Sequence, residues 1–208
     1  MSSLRRYTSL AATIHLLNSK RVTLLDPKTW DDKNDAYFMA KYKRLKNAET
    51  VLALCFAEKI ETYHHWKVFS NGLDGVRIKF DKDMLLSTFE KDSNINHRRV
   101  DYKLIKDVSS QKSIELEDLP FLKRRLYKDE GEYRVVYVNK KIVLESKDYP
   151  IEIEWIEEIQ LSPWMPKTLV DSVKKTFKKI DGCSHLKIFR STIVESESWK
   201  KITTRVSP

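Results

Sequence analysis

Glycine is scarce in this 208-residue chain: there are 4, against the roughly 7% of an average protein. Gly72, Gly75, Gly131 and Gly182 are scattered, so neither G-x-G-x-x-G nor G-x-x-x-x-G-K-[ST] can be written. Rossmann and P-loop nucleotide sites are excluded on that ground. There are 2 cysteines, Cys55 and Cys183, too few and too far apart for a disulfide framework, which fits a reducing compartment. Cys55 sits in the apolar run Val51–Phe56, where a thiol behaves as a small hydrophobe. No apolar run is long enough for a membrane span, and the first residues contain no signal-peptide core, so the expected location is cytoplasmic. The histidines (His15, His64, His65, His97, His185) form no metal-binding spacing, so no metal is expected. A G-x-S-x-G nucleophile elbow is absent too.

What the chain does have is cation and aromatic. Lys and Arg number 39 against 30 Asp and Glu, a net charge of +9. Such a surface attracts polyanions, nucleic acid first and an acidic protein second, although a solubility charge explains the number equally well. With 5 Trp, 9 Tyr and 8 Phe, the chain can bury a core. No linker or repeat divides it, so residues 1–208 are read as a single domain with a core over about 4–195.

Periodicity predicts alternating elements. Leu4–Tyr7 reads as extended, then Thr8 or Ser9 caps a helix through Leu17. Val22–Leu25 reads as a strand and Ala36–Lys46 as a basic helix. Thr50–Phe56 is a strand buried on both faces. Glu61–Phe69 reads as a helix broken at Asn71-Gly72, Gly75–Phe80 as an alternating strand, and Asp81 as the cap of a short helix. Val100–Tyr102 is a short strand, residues 104–117 carry no clear signal, and Leu119–Tyr127 has helical spacing. Tyr133–Val138 and parts of Ile151–Leu161 are strands. Lys167–Ile180 is the clearest helix, with Leu169, Val170, Val173, Phe177 and Ile180 on one face and Lys174, Lys175, Lys178 and Lys179 on the others. Leu186–Phe189 closes the sheet. The fold class is α+β.

Chemistry concentrates in Asp129-Glu130-Gly131-Glu132-Tyr133-Arg134, which introduces a strand. Residues two apart on a strand share a face, so Glu130, Glu132 and Arg134 are expected on one side. A carboxylate beside an arginine keeps its charge, and a strand-end position would leave Glu132→Gln well folded. An exposed charged strand end is the plainer reading of the same residues. At the other end, Arg5-Arg6-Tyr7-Thr8 precedes a helix N-terminus, a place that favours phosphate. Trp66, within His64–Ser70, is either a stacking platform or a core residue.

In order along the chain, these blocks resemble a family of bacterial domains of unknown function, and through it the ADP-ribosyltransferase fold. The match runs through Arg6-Tyr7-Thr8-Ser9, Pro27-Lys28-Thr29-Trp30-Asp31-Asp32, Cys55-Phe56-Ala57, His65–Phe69 with Gly75–Phe80, and Glu130-Gly131-Glu132-Tyr133-Arg134. It departs from the family pattern at Asp31, Ala57, His65 and Phe69, which stand where the family has Asn, Ser, Met and Tyr. Phe69 therefore lacks a hydroxyl that could bond a ligand.

The resemblance implies a single-domain, mixed or antiparallel split sheet with flanking helices and NAD as substrate. It implies that Arg6 holds the diphosphate or ribose, with Tyr7 and Thr8 beside it, and that Tyr7 or Trp66 stacks on nicotinamide. Ser70 closes the middle motif. Glu132 is implied to stabilise the oxocarbenium-like state, with Glu130 serving the acceptor and Arg134 fixing or neutralising Glu132. Relatives of that fold include nucleic-acid-modifying toxins of toxin–antitoxin and phage-defence systems, which implies a nucleic-acid or protein acceptor and an acidic antitoxin as partner. Two other readings stay open: an NAD-independent nucleic-acid-binding or RNA-cleaving effector using His64, His65 and Glu132, and a non-catalytic interaction module. Lys174, Lys175, Lys178 and Lys179 are the candidate nucleic-acid contacts, with an ordinary solvated face as the plainer reading of the same residues.

Overall fold

The computed structural model describes residues 2–70 and 72–205. The helix-breaking Asn71 lies outside the described residues; Gly72 beside it adopts φ +58°. In chain order the elements are β1 (Ser3–Ser9), α1 (Leu10–Ser19), β2 (Arg21–Leu25), α2 (Lys33–Leu45), β3 (Thr50–Ala57), α3 (Tyr63–Phe69), β4 (Gly75–Asp81) and α4 (Lys82–Ser87). Then follow β5 (Ile95–Arg99), β6 (Asp101–Lys103), α5 (Ile105–Ser109), β7 (Leu122–Arg124), β8 (Glu132–Asn139), β9 (Ser146–Pro150), β10 (Ile156–Leu161), α6 (Lys167–Lys179), β11 (Ile188–Arg190) and α7 (Glu197–Lys200). The class is α+β, as the sequence suggested.

Side-chain caps explain several helix starts. Ser9 accepts the amide of Ala12, Asp32 those of Asn34 and Asp35, and Asp81 those of Asp83 and Met84. Asp32 starts α2 earlier than the apolar spacing alone suggested.

Nine strands form one sheet in the order β11-β10-β4-β1-β3-β2-β9, with β8 pairing β3 and β5. β3 is the branch point. Its whole length pairs with β8, from Thr50↔Asn139 to Ala57↔Glu132, whereas β1 meets it at Arg5↔Ala57 and β2 at Leu25↔Ala53. The sheet therefore splits between β1 and β3. The β10–β11 pair is parallel and the other pairs in this sheet are antiparallel, so the sheet is mixed.

Alternation along β3 sorts the core onto two faces. Leu52, Leu54 and Phe56 join the larger core with Leu16 and Leu17 of α1, Leu85 of α4 and Phe177 of α6. Val51 and Ala53 point the other way, into a smaller core with Met39 and Tyr42 of α2 and Phe121. β3 is buried on both faces because helical layers cover both, which is why its sequence is continuously apolar.

Two expectations are corrected, and two strands appear that periodicity did not show. Residues 119–127 are no helix: Leu116–Phe121 and Arg125–Glu130 are 3-10 turns flanking β7. Pro120 breaks the helical ladder there, and β7 pairs in parallel with β6 as a separate two-stranded sheet. Leu169 is not on the buried face of α6, being 50% exposed, while Val170 and Phe177 are buried. β5 and β9 carried no recognisable apolar alternation, because INHRR and SKDYP are polar edge strands.

Candidate functional site

The split in the sheet opens into a cavity of about 540 Å³. Its walls come from β1 (Arg5, Tyr7), β3 (Cys55, Phe56), the end of α3 (Val68, Phe69), the loop before α2 (Trp30, Asp31) and the segment carrying Lys123 and Tyr127. Glu130, Glu132 and Arg134 also line it. The ladder explains this convergence. Arg5 pairs with Ala57, and Ala57 with Glu132, so the first strand and the Glu-x-Glu-x-Arg block lie two strand spacings apart, about 10 Å.

The charged block is the most densely bonded feature of the site. Arg134 is fully buried. Its Nε and Nη2 donate to the two oxygens of Glu132 at 2.7 and 2.9 Å, and Nη1 and Nη2 donate to Asp35 at 2.9 and 2.7 Å. Nη1 also reaches the carbonyl of Pro120 at 2.6 Å, and the guanidinium lies 4.6 Å from the Trp30 ring centre. Lys123 stands 2.6 Å from Glu130, 3.3 Å from Glu132 and 3.5 Å from Asp35. Three buried carboxylates thus share two buried cations. Breaking such a network is costly, because each partner left behind is a desolvated charge.

The two glutamates differ. Burial opposes the charge of Glu132, but Arg134 and Lys123 outweigh it and hold the carboxyl below its ordinary range. Glu130 is pushed up to about 7, chiefly by burial, with Lys123 pulling the other way. Burial opposes the charge of Lys123 as well, yet Glu132, Glu130 and Asp35 raise its pKa. Both oxygens of Glu132 are committed to Arg134 and Lys123, whereas Oε2 of Glu130 takes Lys123 and its Oε1 accepts no hydrogen bond among the described residues. Cys55, which pairs with Arg134 on the neighbouring β3, has its thiol held protonated by burial and then by Glu132.

Glycine 131 makes the turn possible. It adopts φ +54°, a region L-residues avoid, between Glu130 and the start of β8. Glu130 therefore lies in a 3-10 turn and not on the strand, yet its side chain meets those of Glu132 and Arg134 at the same cavity.

Several sequence-predicted site residues lie elsewhere. Arg6 does not line the cavity: strand alternation sends Arg5 and Tyr7 there. Arg6 is half-buried, burial lowers its pKa to about 10, and its side chain makes no hydrogen bond or ion pair among the described residues. Thr8 pairs with Val76 inside the β1–β4 ladder, away from the cavity wall. Trp66 is a core residue, 0% exposed, with Nε1 donating to Glu61 at 2.8 Å. Ser70 donates to the carbonyl of Trp66 at the end of α3. Phe69, two positions from the lysine that follows Trp66, is the aromatic of that block that reaches the cavity. Tyr7 does line it, stacked on His65 with centroids 5.2 Å apart.

Lys174, Lys175, Lys178 and Lys179 sit on α6, which packs beside β11 at the far end of the sheet, and none lines the cavity. Lys175, Lys178 and Lys179 are exposed and Lys174 is half-buried. Glu132 lines the cavity as expected, but the expectation that it has little bearing on folding is overturned, since its carboxylate is buried and bonded to two cations. Sequence reasoning missed Arg5, Asp35, Lys123 and Tyr127. Asp35 was legible in principle, as an acid one turn inside a basic helix.

Among the described residues, no helix is long and apolar enough to cross a membrane. No family model matches the chain, and no curated protein does. Among solved structures, the chain is similar to Thermus sp. 2.9 DarT in complex with NAD+ (TM-score 0.46) and in complex with carba-NAD+ (TM-score 0.43), each at 9% identity over 91% of this chain and 95% of that one.

Proposed function

We propose that the cavity binds NAD and that the chain transfers ADP-ribose from it to an acceptor. The observation that supports this most is the carboxyl pair at the cavity wall: Glu132 ionised and immobile, Glu130 titrating near neutrality with one oxygen uncommitted. The cavity volume falls in the range that small-molecule ligands occupy, and Tyr7, Trp30, Phe69 and Tyr127 offer ring faces for a planar heterocycle.

Transfer breaks the bond between the nicotinamide nitrogen and C1′ of the ribose. The bonding pair leaves with the nicotinamide, which becomes neutral, and positive charge spreads over C1′ and the ring oxygen. A pre-oriented negative field at that position stabilises the developing cation. Glu132 supplies the field, and Arg134 fixes its direction. Glu130 is the carboxyl free to touch the sugar hydroxyl, and it accepts the proton that the acceptor loses as its oxygen or nitrogen bonds to C1′. Arg5 reaches the cavity from β1 and is the cation on hand for the diphosphate.

On this reading the chain is a toxin-type effector. Its net charge of +9 favours a nucleic-acid acceptor and an acidic protein as the neutralising partner. Incubation with NAD and DNA, RNA or protein, followed by mass spectrometry, is the test. Free nicotinamide and an ADP-ribose adduct are expected, both lost in Glu130→Gln. Absence of nicotinamide release by the wild-type chain would overturn the reading. Salt-sensitive nucleic-acid binding without NAD turnover would favour the NAD-independent effector instead.

A further inference from the structure

His65 is buried, titratable and absent from the cavity wall, yet it touches both sides of the site. Its Nε2 lies 2.9 Å from the main-chain carbonyl of Glu130, 65 positions away in sequence. A carbonyl can only accept, so Nε2 carries the ring proton. The other nitrogen, Nδ1, is 2.9 Å from the hydroxyl of Thr62, which caps α3 by accepting the amide of His65 itself at 3.2 Å. Nδ1 therefore accepts the Thr62 hydroxyl proton. Every polar atom of the ring is used once, and the neutral tautomer is fixed. Burial favours the same neutral form by lowering the ring's pKa.

The flat faces of the ring do the second job. His65 stacks on Tyr7 at 5.2 Å and 12°, and its centroid is 6.0 Å from that of Phe69. Both partners line the cavity. One imidazole thus joins the aromatic wall of β1 and α3 to the turn that carries Glu130.

We propose that His65 is a positioning residue: it sets the Glu130 turn against the Tyr7–Phe69 wall, and with it the place at which the Glu130 carboxyl meets a ligand. The role rests on the NAD-transferase reading for its kinetic consequence, while the effect on Glu130 itself stands apart from any activity. A hydrophobic residue at this position would fill the space but leave the Glu130 carbonyl without its donor. The turn would then settle elsewhere, and displacements of about 1 Å at a reacting group can cost about 10²-fold in rate.

The test compares His65→Leu with His65→Gln, because the glutamine amide can still donate to the Glu130 carbonyl. Both variants lose ring stacking, so their melting temperatures should fall together. In the Leu variant kcat for NAD cleavage should fall about 10–100-fold with KM nearly unchanged, and the Gln variant should recover most of it. The 13C titration of the Glu130 carboxyl should shift in His65→Leu and return toward wild type in His65→Gln. A Leu variant with wild-type kcat and an unmoved Glu130 titration overturns the proposal, as does a Gln variant no better than Leu. If the wild-type chain does not cleave NAD, the transferase reading falls, and the Glu130 titration alone decides the role of His65.

Discussion

Two glutamates two positions apart differ in charge state because Lys123 reaches both but Arg134 reaches only Glu132. Glu132 is clamped by Arg134 and Lys123, and Glu130 keeps an uncommitted oxygen. Replacing Glu130 by Gln preserves the bond to Lys123 and removes the proton-accepting group, so NAD turnover should fall about 10²–10³-fold while the fold persists, as single-turnover kinetics and circular dichroism would check. The same variant makes a pH prediction. The Glu130 carboxyl sits at about 7 in the folded chain, above its ordinary value, so the folded state holds a proton that the unfolded chain has released. Stability is then lost as pH rises from the ordinary carboxyl range through about 7, and Glu130→Gln should melt progressively higher than wild type across that window. Glu132 has the opposite sign: its lowered value stabilises the fold above the ordinary carboxyl range, and that contribution is lost on acidification. Thermal melts of both Gln variants against pH would separate the two.

At the level of elements, the turn before β8 decides the site. Ala at Gly131 would have to hold φ +54°, and its Cβ would come within 2.6 Å of Lys59 Cγ, displacing the side chain whose Nζ donates to Lys128. Gly131→Ala should cost about 1–2 kcal/mol, lowering the melting temperature by roughly 2–8 °C and turnover with it. Helix α6 should behave otherwise. Its lysines are outward and distant from the cavity, so reversing Lys174, Lys175, Lys178 and Lys179 together should leave melting nearly unchanged. If nucleic acid is the acceptor, the same reversal should flatten the salt dependence of binding, and an unchanged slope would mark an ordinary solvated face.

One polar network ties a helix and the small β6–β7 sheet to the large sheet. Asp35 comes from α2, Lys123 from β7, and Glu132 and Arg134 from β8, so the network pins the layer over the smaller core to the sheet. Arg134→Met removes the guanidinium but leaves Asp35 and Glu132 buried beside each other. A loss of about 3–5 kcal/mol is expected in urea melts, with a molten cavity wall even where the chain stays folded. Because the sheet gathers strands from Ser3 to Arg190, calorimetry should show one cooperative transition.

Sequence alone determined the class and most of the elements, since burial on one face leaves a period of 2 or 3.6 that can be read without coordinates. It located β3, β4, β8, α6 and the Glu-x-Glu-x-Arg block, where strand spacing explains Glu132 and Arg134 while the Gly131 turn brings Glu130 to the same cavity. It could not tell Arg5 from Arg6, because neighbours on a strand face opposite ways and only the pairing with β3 and β4 says which way the split lies. Nor could it find Lys123, which sits in a segment with false helical spacing and is held by acids from α2 and β8. Trp66 read as either a stacking platform or a core residue, and its neighbours make it core. Which face of an element meets ligand is a property of its neighbours, and those neighbours are distant in the chain.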